Sequence, residues 1–196
     1  DISAVGIIDG YFENTASVWH KEILEALDNN ISVWGAASMG ALRAVELNAF
    51  GMQGVGKIYN DYLKGNLDRD DEVTVVHAPE SLNFMPLSEA LVNIRYTFKK
   101  AQAKGIIDAN CCLNLIELAD STFYKERSYN LIINRSVNAG LINETQAKRL
   151  IIWLASNKIN QKREDAMDLV RNIGHIQNDC PFEFLESQIW KDNISI

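Results

Sequence analysis

The sequence has few cysteines, no long apolar run and no visible signal peptide. Its three cysteines include the adjacent pair Cys111 and Cys112, while Cys180 stands alone, so they predict neither a disulfide framework nor a metal site. Such sparse cysteine is typical of a protein from a reducing compartment. No apolar stretch reaches the roughly 18 residues that a membrane-spanning helix needs. We therefore expect a cytoplasmic protein that has no membrane partner.

An excess of basic charge is also missing. The formal net charge is −7, and no basic stripe is available to neutralise phosphates, which disfavours nucleic acid and anionic membranes as partners. Neither His-Glu-x-x-His nor Cys-x-x-Cys occurs, so the sequence predicts no metal and no cofactor. Gly35 and Gly40 have the outer spacing of a phosphate loop, but Ala41 and Leu42 replace the Lys and Ser or Thr that this loop requires.

What the first half does contain is an alternation of strand and helix patterns. Strands are predicted from the apolar runs 4–8, 31–34 and 73–76. Helices are predicted over residues 15–27, 38–47 and 58–63, whereas the glycines at 51, 54 and 56 and the acidic cluster at 68–72 predict loops. The order of strands and helices predicts an α/β fold with a short parallel, Rossmann-like sheet and flanking helices.

The second half carries helical periodicity only. Helices are predicted over 88–104, 108–121, 129–138, 143–154 and 162–173, and from residue 182 onwards. Ser88 and Asp108 are predicted N-caps, and Asn143 with Gln146 resembles a capping box. We expect an α/β core over residues 1–105 and an all-helical subdomain over 106–196 that packs on it.

The stretch 33–43 is the most informative part of the sequence. It reads as an apolar strand, a tight turn of small residues and a helix that begins near Ser38, which approximates the serine turn called a nucleophile elbow. The backbone N–H groups of Met39 and Gly40, at the start of that helix, can hold a developing oxyanion. The alternative interpretation is that Ser38 only caps the helix, a role that serine often fills.

Polar residues follow the predicted strands at their carboxyl ends. Asp9, Ser38 and His77 take these positions, and open parallel sheets bind ligands at that edge. His20, early in the helix after the first strand, is expected near the same edge. A serine, histidines and a carboxylate are the inventory of an acyl-transfer site. Each has a structural alternative: Asp9 with Gly10 as a turn, His20 as a packed histidine and His77 as the end of a strand.

Several blocks of the sequence resemble one known family. In chain order they are Ile7–Phe12, Trp19–Ile23, Gly35–Leu47, Phe50–Met52 with Gly54–Gly56, Asp70–Val73 with Val76–His77, and Pro86–Glu89 with Asn93–Arg95. Together they are similar to the core of the TfuA family, whereas residues beyond about 105 carry no resemblance. The resemblance implies a part in peptide backbone thioamidation beside a YcaO-type enzyme. It also implies a further N-terminal segment, with another strand, ahead of Asp1.

In that setting the family is expected to release sulfide from the thiocarboxylated C-terminus of a ubiquitin-like, ThiS-related sulfur carrier. The hypothesis is that Ser38 attacks the thioacid carbonyl and that His20, favoured over His77, takes its proton while Asp9 orients the imidazole. Lys21 is an alternative base. Lys21 or Arg43 can stabilise the anionic substrate, although Arg43 can instead pair with Glu46 three residues later.

The predicted site is therefore drawn from residues 9–77. The predicted catalytic residues are Ser38, His20, Asp9, His77 and Lys21, and the predicted oxyanion and substrate-binding residues are Met39, Gly40, Gly10, Arg43 and Glu46. Two other functions stay open. One is a non-catalytic adaptor that recruits the carrier or the substrate peptide to YcaO, and the other is a phosphate or nucleotide site without covalent chemistry.

Overall fold

A computed structural model of the chain describes residues 2–8 and 17–173. In the first half of these residues strands alternate with helices, as β1 (Ala4–Ile7), α1 (His20–Asp28), β2 (Ser32–Ala36), α2 (Met39–Glu46), β3 (Gln53–Val55) and α3 (Lys57–Leu63). The sheet order is β1-β2-β3, and both strand pairs are parallel. The predicted α/β class with a short parallel sheet is confirmed.

The third strand is not the predicted one. Residues 53–55, in the glycine-rich stretch predicted as a loop, pair with β2 so that Ala36 lies opposite Val55. A Cβ atom on Gly54 would overlap the ring of Tyr59, so glycine is needed where α3 folds back on the strand. The predicted strand 73–76 lies outside the sheet. Its apolar character reflects burial instead, because Val73 is fully buried in the core beside α3 and α4.

The second half is helical, as predicted. After three short 3₁₀ turns at Asn48–Phe50, Asp70–Glu72 and Glu80–Leu82, the chain forms α4 (Leu91–Ala103), α5 (Ala109–Ser121), α6 (Tyr129–Asn138), α7 (Glu144–Asn157) and α8 (Gln161–Asn172). The predicted cap of α5 is confirmed, since the Asp108 carboxylate accepts the Cys111 N–H. The capping box of Asn143 and Gln146 is also confirmed.

Two local predictions in this region are wrong. Ser88 does not cap α4, because its hydroxyl accepts the backbone N–H of Val76 (2.9 Å) and the helix begins after Ala90. The acidic cluster is a solvated loop only in part: Asp68 and Asp70 are exposed, but Glu72 is buried and accepts two hydrogen bonds from the Arg95 guanidinium. The ion pair with Arg95 of α4 explains why the Glu72 carboxylate is buried. The predicted start of α1 at Thr15 and the predicted helix from residue 182 lie outside the described residues.

Helices cover both faces of the sheet. On one face, α1, α2 and α3 share a core that includes Ile23, Val33, Ala44 and Ile58. On the other face, α8 places Leu169 against Trp34, Ala36 and Ala37. Helices α4 to α7 enclose a separate core around residues such as Phe98, Leu115, Ile132 and Leu150. None of the described helices is long and apolar enough to cross a membrane.

A buried carboxylate ties α8 to α3. Helix α3 begins after Gly56, which has φ 99° and no side chain to cap the helix. The cap comes from Asp165 of α8, whose Oδ2 accepts the Ile58 N–H at 2.8 Å. Its Oδ1 accepts the Gln161 side-chain amide at 2.7 Å. The last described helix is thereby fixed to the first half of the chain.

Candidate active site

The turn between β2 and α2 is tight and strained. Ala37 has φ 71°, in the left-handed region that residues with a Cβ atom seldom adopt. The next N–H, of Ser38, donates to the carbonyls of Ala36 (2.9 Å) and Ile8 (3.2 Å). A Cβ atom on Gly40 would overlap the Ile7 carbonyl, so only glycine lets α2 approach β1 this closely. Strained turns of this kind occur preferentially at functional sites.

The Ser38 hydroxyl has no structural task among the described residues. Ser38 stands at the N-cap position of α2, but its side chain accepts no capping hydrogen bond. The residue is 0% exposed, and its Oγ atom has no hydrogen-bond partner in the described part of the chain. A buried polar atom left without a partner costs about 1–3 kcal/mol, so an unpaired hydroxyl calls for a reason other than stability.

Backbone donors lie next to this hydroxyl. The first intrahelical bond of α2 is donated by the Leu42 N–H to the Ser38 carbonyl. The N–H groups of Met39 and Gly40 precede it, so they have no acceptor within the helix. Their position at the positive end of the helix dipole suits them to an anion, as the sequence predicts.

A cavity of about 410 Å³ opens at the carboxyl edge of the sheet. Ile8 and Ala37, which follow β1 and β2, form part of its wall, so it lies beside the turn that carries Ser38, although Ser38 itself does not line it. Its polar lining comes from several elements: His77, Ser88, Glu89, Asn93, Ser128, Tyr129, Asn160, Lys162 and Arg163. The volume is within the range of small-molecule sites.

His77 reaches the cavity by a route that the sequence did not indicate. It does not end a strand of the sheet but forms an isolated antiparallel bridge with Pro86. The flanking bonds, Ala78 N–H to Met85 carbonyl (2.8 Å) and Leu87 N–H to Val76 carbonyl (2.7 Å), close the loop between them. His77 and Ala37 line the same cavity. The structure therefore brings His77 to the side of the molecule where Ser38 lies.

His20 lies in a different place. Its Nε2 is 2.8 Å from Oε2 of Glu46, and the Arg43 Nη1 group bonds the same oxygen at 2.5 Å. Arg43 also donates to the Val18 carbonyl, which fixes the segment ahead of α1. This cluster lies at the last turn of α2. Ser38 precedes the first turn, about 12 Å from Glu46 along the axis at 1.5 Å per residue, and His20 does not line the cavity.

The other predicted site residues are less informative. The i,i+3 pair of Arg43 and Glu46 is present, and the Glu46 carboxylate also contacts His20. Lys21 is exposed on α1 and does not line the cavity. Asp9 and Gly10 lie outside the described residues. Among the residues that are described, no group of three or more His, Cys, Asp or Glu could hold a metal ion.

Sequence reasoning missed the side chains that α4, α8 and the segment before α4 contribute. Lys162 lines the cavity, and its ammonium donates to the Val73 carbonyl (2.9 Å). Glu89, in the segment before α4, lines the same cavity. Burial raises the pKa of its carboxyl. One signal was present: Lys162 and Arg163 stand in the first turn of a helix, where positive charge is unfavourable without another use.

Comparison with known proteins assigns a large part of the chain to a protein family. The family model described as TfuA-like protein matches residues 9–128. No curated protein matches the chain. The matched range contains Ser38, His20, His77 and Glu89, whereas Lys162 and the rest of α8 lie beyond it.

Proposed function

This chain belongs to the TfuA-like protein family, and from that premise we propose that it is a serine-type hydrolase for sulfur delivery. Its substrate is the thiocarboxylated C-terminus of a ubiquitin-like, ThiS-related carrier, and the sulfide serves a YcaO-type enzyme that thioamidates peptide backbones. One observation carries the proposal: the Ser38 hydroxyl is held at a strained strand-to-helix turn and bonds no described group. A nucleophile kept free for substrate accounts for that cost.

His77 is the better-placed base for Ser38 in this mechanism. It lines the cavity that Ala37 also lines, whereas His20 is held beside the far end of α2 by Glu46. His77 takes the proton as the Ser38 oxygen attacks the carbonyl carbon. The role assigned to His20 then becomes one of positioning, since its contact with Glu46 connects α1 to α2.

The oxyanion forms at the start of α2. The N–H groups of Met39 and Gly40 stabilise it there, and a single donor of this kind contributes about 3 kcal/mol in measured enzymes. The thiocarboxylate is itself an anion, which opposes attack by a nucleophile. Lys162, which lines the cavity, offsets that charge. Sulfide leaves, and water then releases the carrier carboxylate.

A non-catalytic adaptor is the second candidate function, and one observation favours it. Ser38 is 0% exposed, so a substrate carbonyl reaches its oxygen only after the groups that cover it move. A protein that only brings the carrier to YcaO needs no such movement. The hydrolase proposal therefore requires that binding of the carrier opens the turn.

The deciding experiment replaces Ser38 with alanine and measures sulfide release from the thiocarboxylated carrier. The chain offers a matched control, because Ser136 of α6 is also a fully buried serine whose Oγ atom has no hydrogen-bond partner among the described residues, and it does not line the cavity. We expect Ser38→Ala to lower the rate at least about 1,000-fold, as removal of a nucleophile does. Ser136→Ala should retain the wild-type rate, with circular dichroism verifying both folds.

Two results would count against the hydrolase. Full sulfide release by a folded Ser38→Ala protein would remove the serine mechanism. A wild-type protein that binds the carrier and the YcaO enzyme but releases no sulfide would establish the adaptor instead.

A further inference from the structure

We propose that Glu89 is a second proton-transfer residue of this cavity, which protonates the departing sulfur and then activates the hydrolytic water. The inference rests on the proposed hydrolase function. In this scheme His77 exchanges a proton with the serine oxygen, and Glu89 exchanges protons with the departing sulfur and the hydrolytic water.

Glu89 is fixed in the cavity wall by hydrogen bonds. Its Oε1 accepts the side-chain amide of Asn93 at 2.8 Å, and its own N–H donates to the Arg127 carbonyl at 2.9 Å. Asn93 is itself held, because its Oδ1 accepts the Gln161 N–H at 2.8 Å. The carboxyl therefore has a set position between α4 and α8, and it lines the same cavity as His77.

The surroundings favour the protonated carboxyl. Burial raises the pKa of Glu89, and the hydrogen bonds from Asn93 and from the Ala90 N–H offset this only in part. The positive charges of Lys158 and Lys162 also act in the opposite direction without cancelling the effect of burial. Tyr129 of α6 also lines the cavity, and burial raises the pKa of its phenol, so it stays neutral. Among the described residues that line the cavity, His77 and Arg163 are the remaining titratable groups.

The substrate needs such a proton donor. Attack on a thiocarboxylate places negative charge on both oxygen and sulfur, and sulfur cannot leave as a dianion. In the first half-reaction the C–O bond to Ser38 forms, and the serine proton passes to His77. The C–S bond breaks with its electron pair on sulfur, and the Glu89 proton makes the leaving group hydrosulfide. An ionised Glu89 would instead repel the anionic substrate.

The second half-reaction restores both groups. The Glu89 carboxylate takes a proton from water as its oxygen attacks the ester carbon. The C–O bond to Ser38 breaks, and protonated His77 returns its proton to the serine oxygen. The cycle ends with neutral His77, protonated Glu89, the carrier carboxylic acid and hydrosulfide. Protons and charge balance without a further reactant.

The test is the pH dependence of sulfide release by Glu89→Gln, with Glu80→Gln as the control. Gln keeps the size and the Asn93 contact but has no acidic proton, and Glu80 is exposed on the loop ahead of Pro86. We expect kcat to fall at least about 100-fold for Glu89→Gln. The wild-type rate should decline as rising pH removes the Glu89 proton, and the variant should lose that decline. Glu80→Gln should keep the wild-type rate and profile.

The outcomes are distinct. A Glu89→Gln protein with the wild-type rate, measured while Ser38→Ala is inactive, overturns the role of Glu89 and leaves the hydrolase intact. A lower rate with an unchanged pH profile, or with a lost fold by circular dichroism, assigns Glu89 a structural role and also overturns the inference. No sulfide release by the wild-type protein overturns both proposals.

Discussion

Replacing Asp165 with alanine should destabilise the protein strongly, although the residue lies outside the proposed chemistry. The carboxylate is 1% exposed and accepts the Ile58 N–H and the Gln161 side-chain amide. A hydrogen bond to a charged group contributes about 1.5–3 kcal/mol, and two such donors would lose their acceptor in the interior. Burial raises the pKa of Asp165, so desolvation of its charge offsets part of this gain. We expect a loss of about 3–4 kcal/mol.

The assay is urea denaturation at neutral pH, with the slope m compared between variants to verify that the unfolding transition is the same. Asp168→Ala is the matched control on α8, because Asp168 is exposed and pairs at the surface with Arg171 (3.6 Å). It should change the free energy of unfolding by less than about 0.5 kcal/mol. Asp165→Asn keeps one acceptor oxygen and should fall between the two. A loss below about 1 kcal/mol for Asp165→Ala would refute the idea that this carboxylate caps α3.

Two further changes test the site and its charge. Gly40→Ala should abolish folding or lower the free energy of unfolding by more than about 3 kcal/mol, because its Cβ atom would overlap the Ile7 carbonyl. The control Gly105→Ala, with open space around it, should lower the free energy of unfolding by about 1 kcal/mol. Equal shifts of the melting temperature in the two variants would contradict this. The raised pKa of Glu89 means that the folded state holds a proton that the unfolded chain loses first. Stability should therefore fall as pH rises through the interval just above the ordinary carboxyl pKa. Glu89→Gln should flatten that slope in urea titrations, and an unchanged slope would contradict the assignment.

The elements that the sequence predicts well are those whose signals are local. β1 and β2 are continuous apolar runs, and the caps at Asp108 and Asn143 depend on residues three positions away. β3 has no such signal, because it is three residues long with glycine at its centre and exists only through pairing with β2. Residues 73–76 form an apolar run that predicts a strand, but they are not part of the sheet. Burial by helices distant in sequence produces the same apolar composition.

The candidate site shows the same difference between local signals and contacts that are distant in sequence. Ser38 could be predicted because the strand, the turn and the helix that hold it are contiguous. His77 was predicted as a strand end, but the bridge to Pro86 holds it in the wall of the cavity instead. Glu89 and Lys162 could not be found, because α4 and α8 approach the sheet through contacts between residues far apart in the chain. Hydrophobic periodicity predicts each helix but not the elements against which it packs.

The position of α8 in the chain has a consequence for synthesis on the ribosome. The sheet and its turn are complete by residue 55, but the helix that covers Trp34, Ala36 and Ala37 is translated more than 100 residues later. Until then the nascent chain exposes an apolar sheet face and lacks Lys162. We therefore expect fragments that end within α7 to expose this apolar face and to be captured by chaperones.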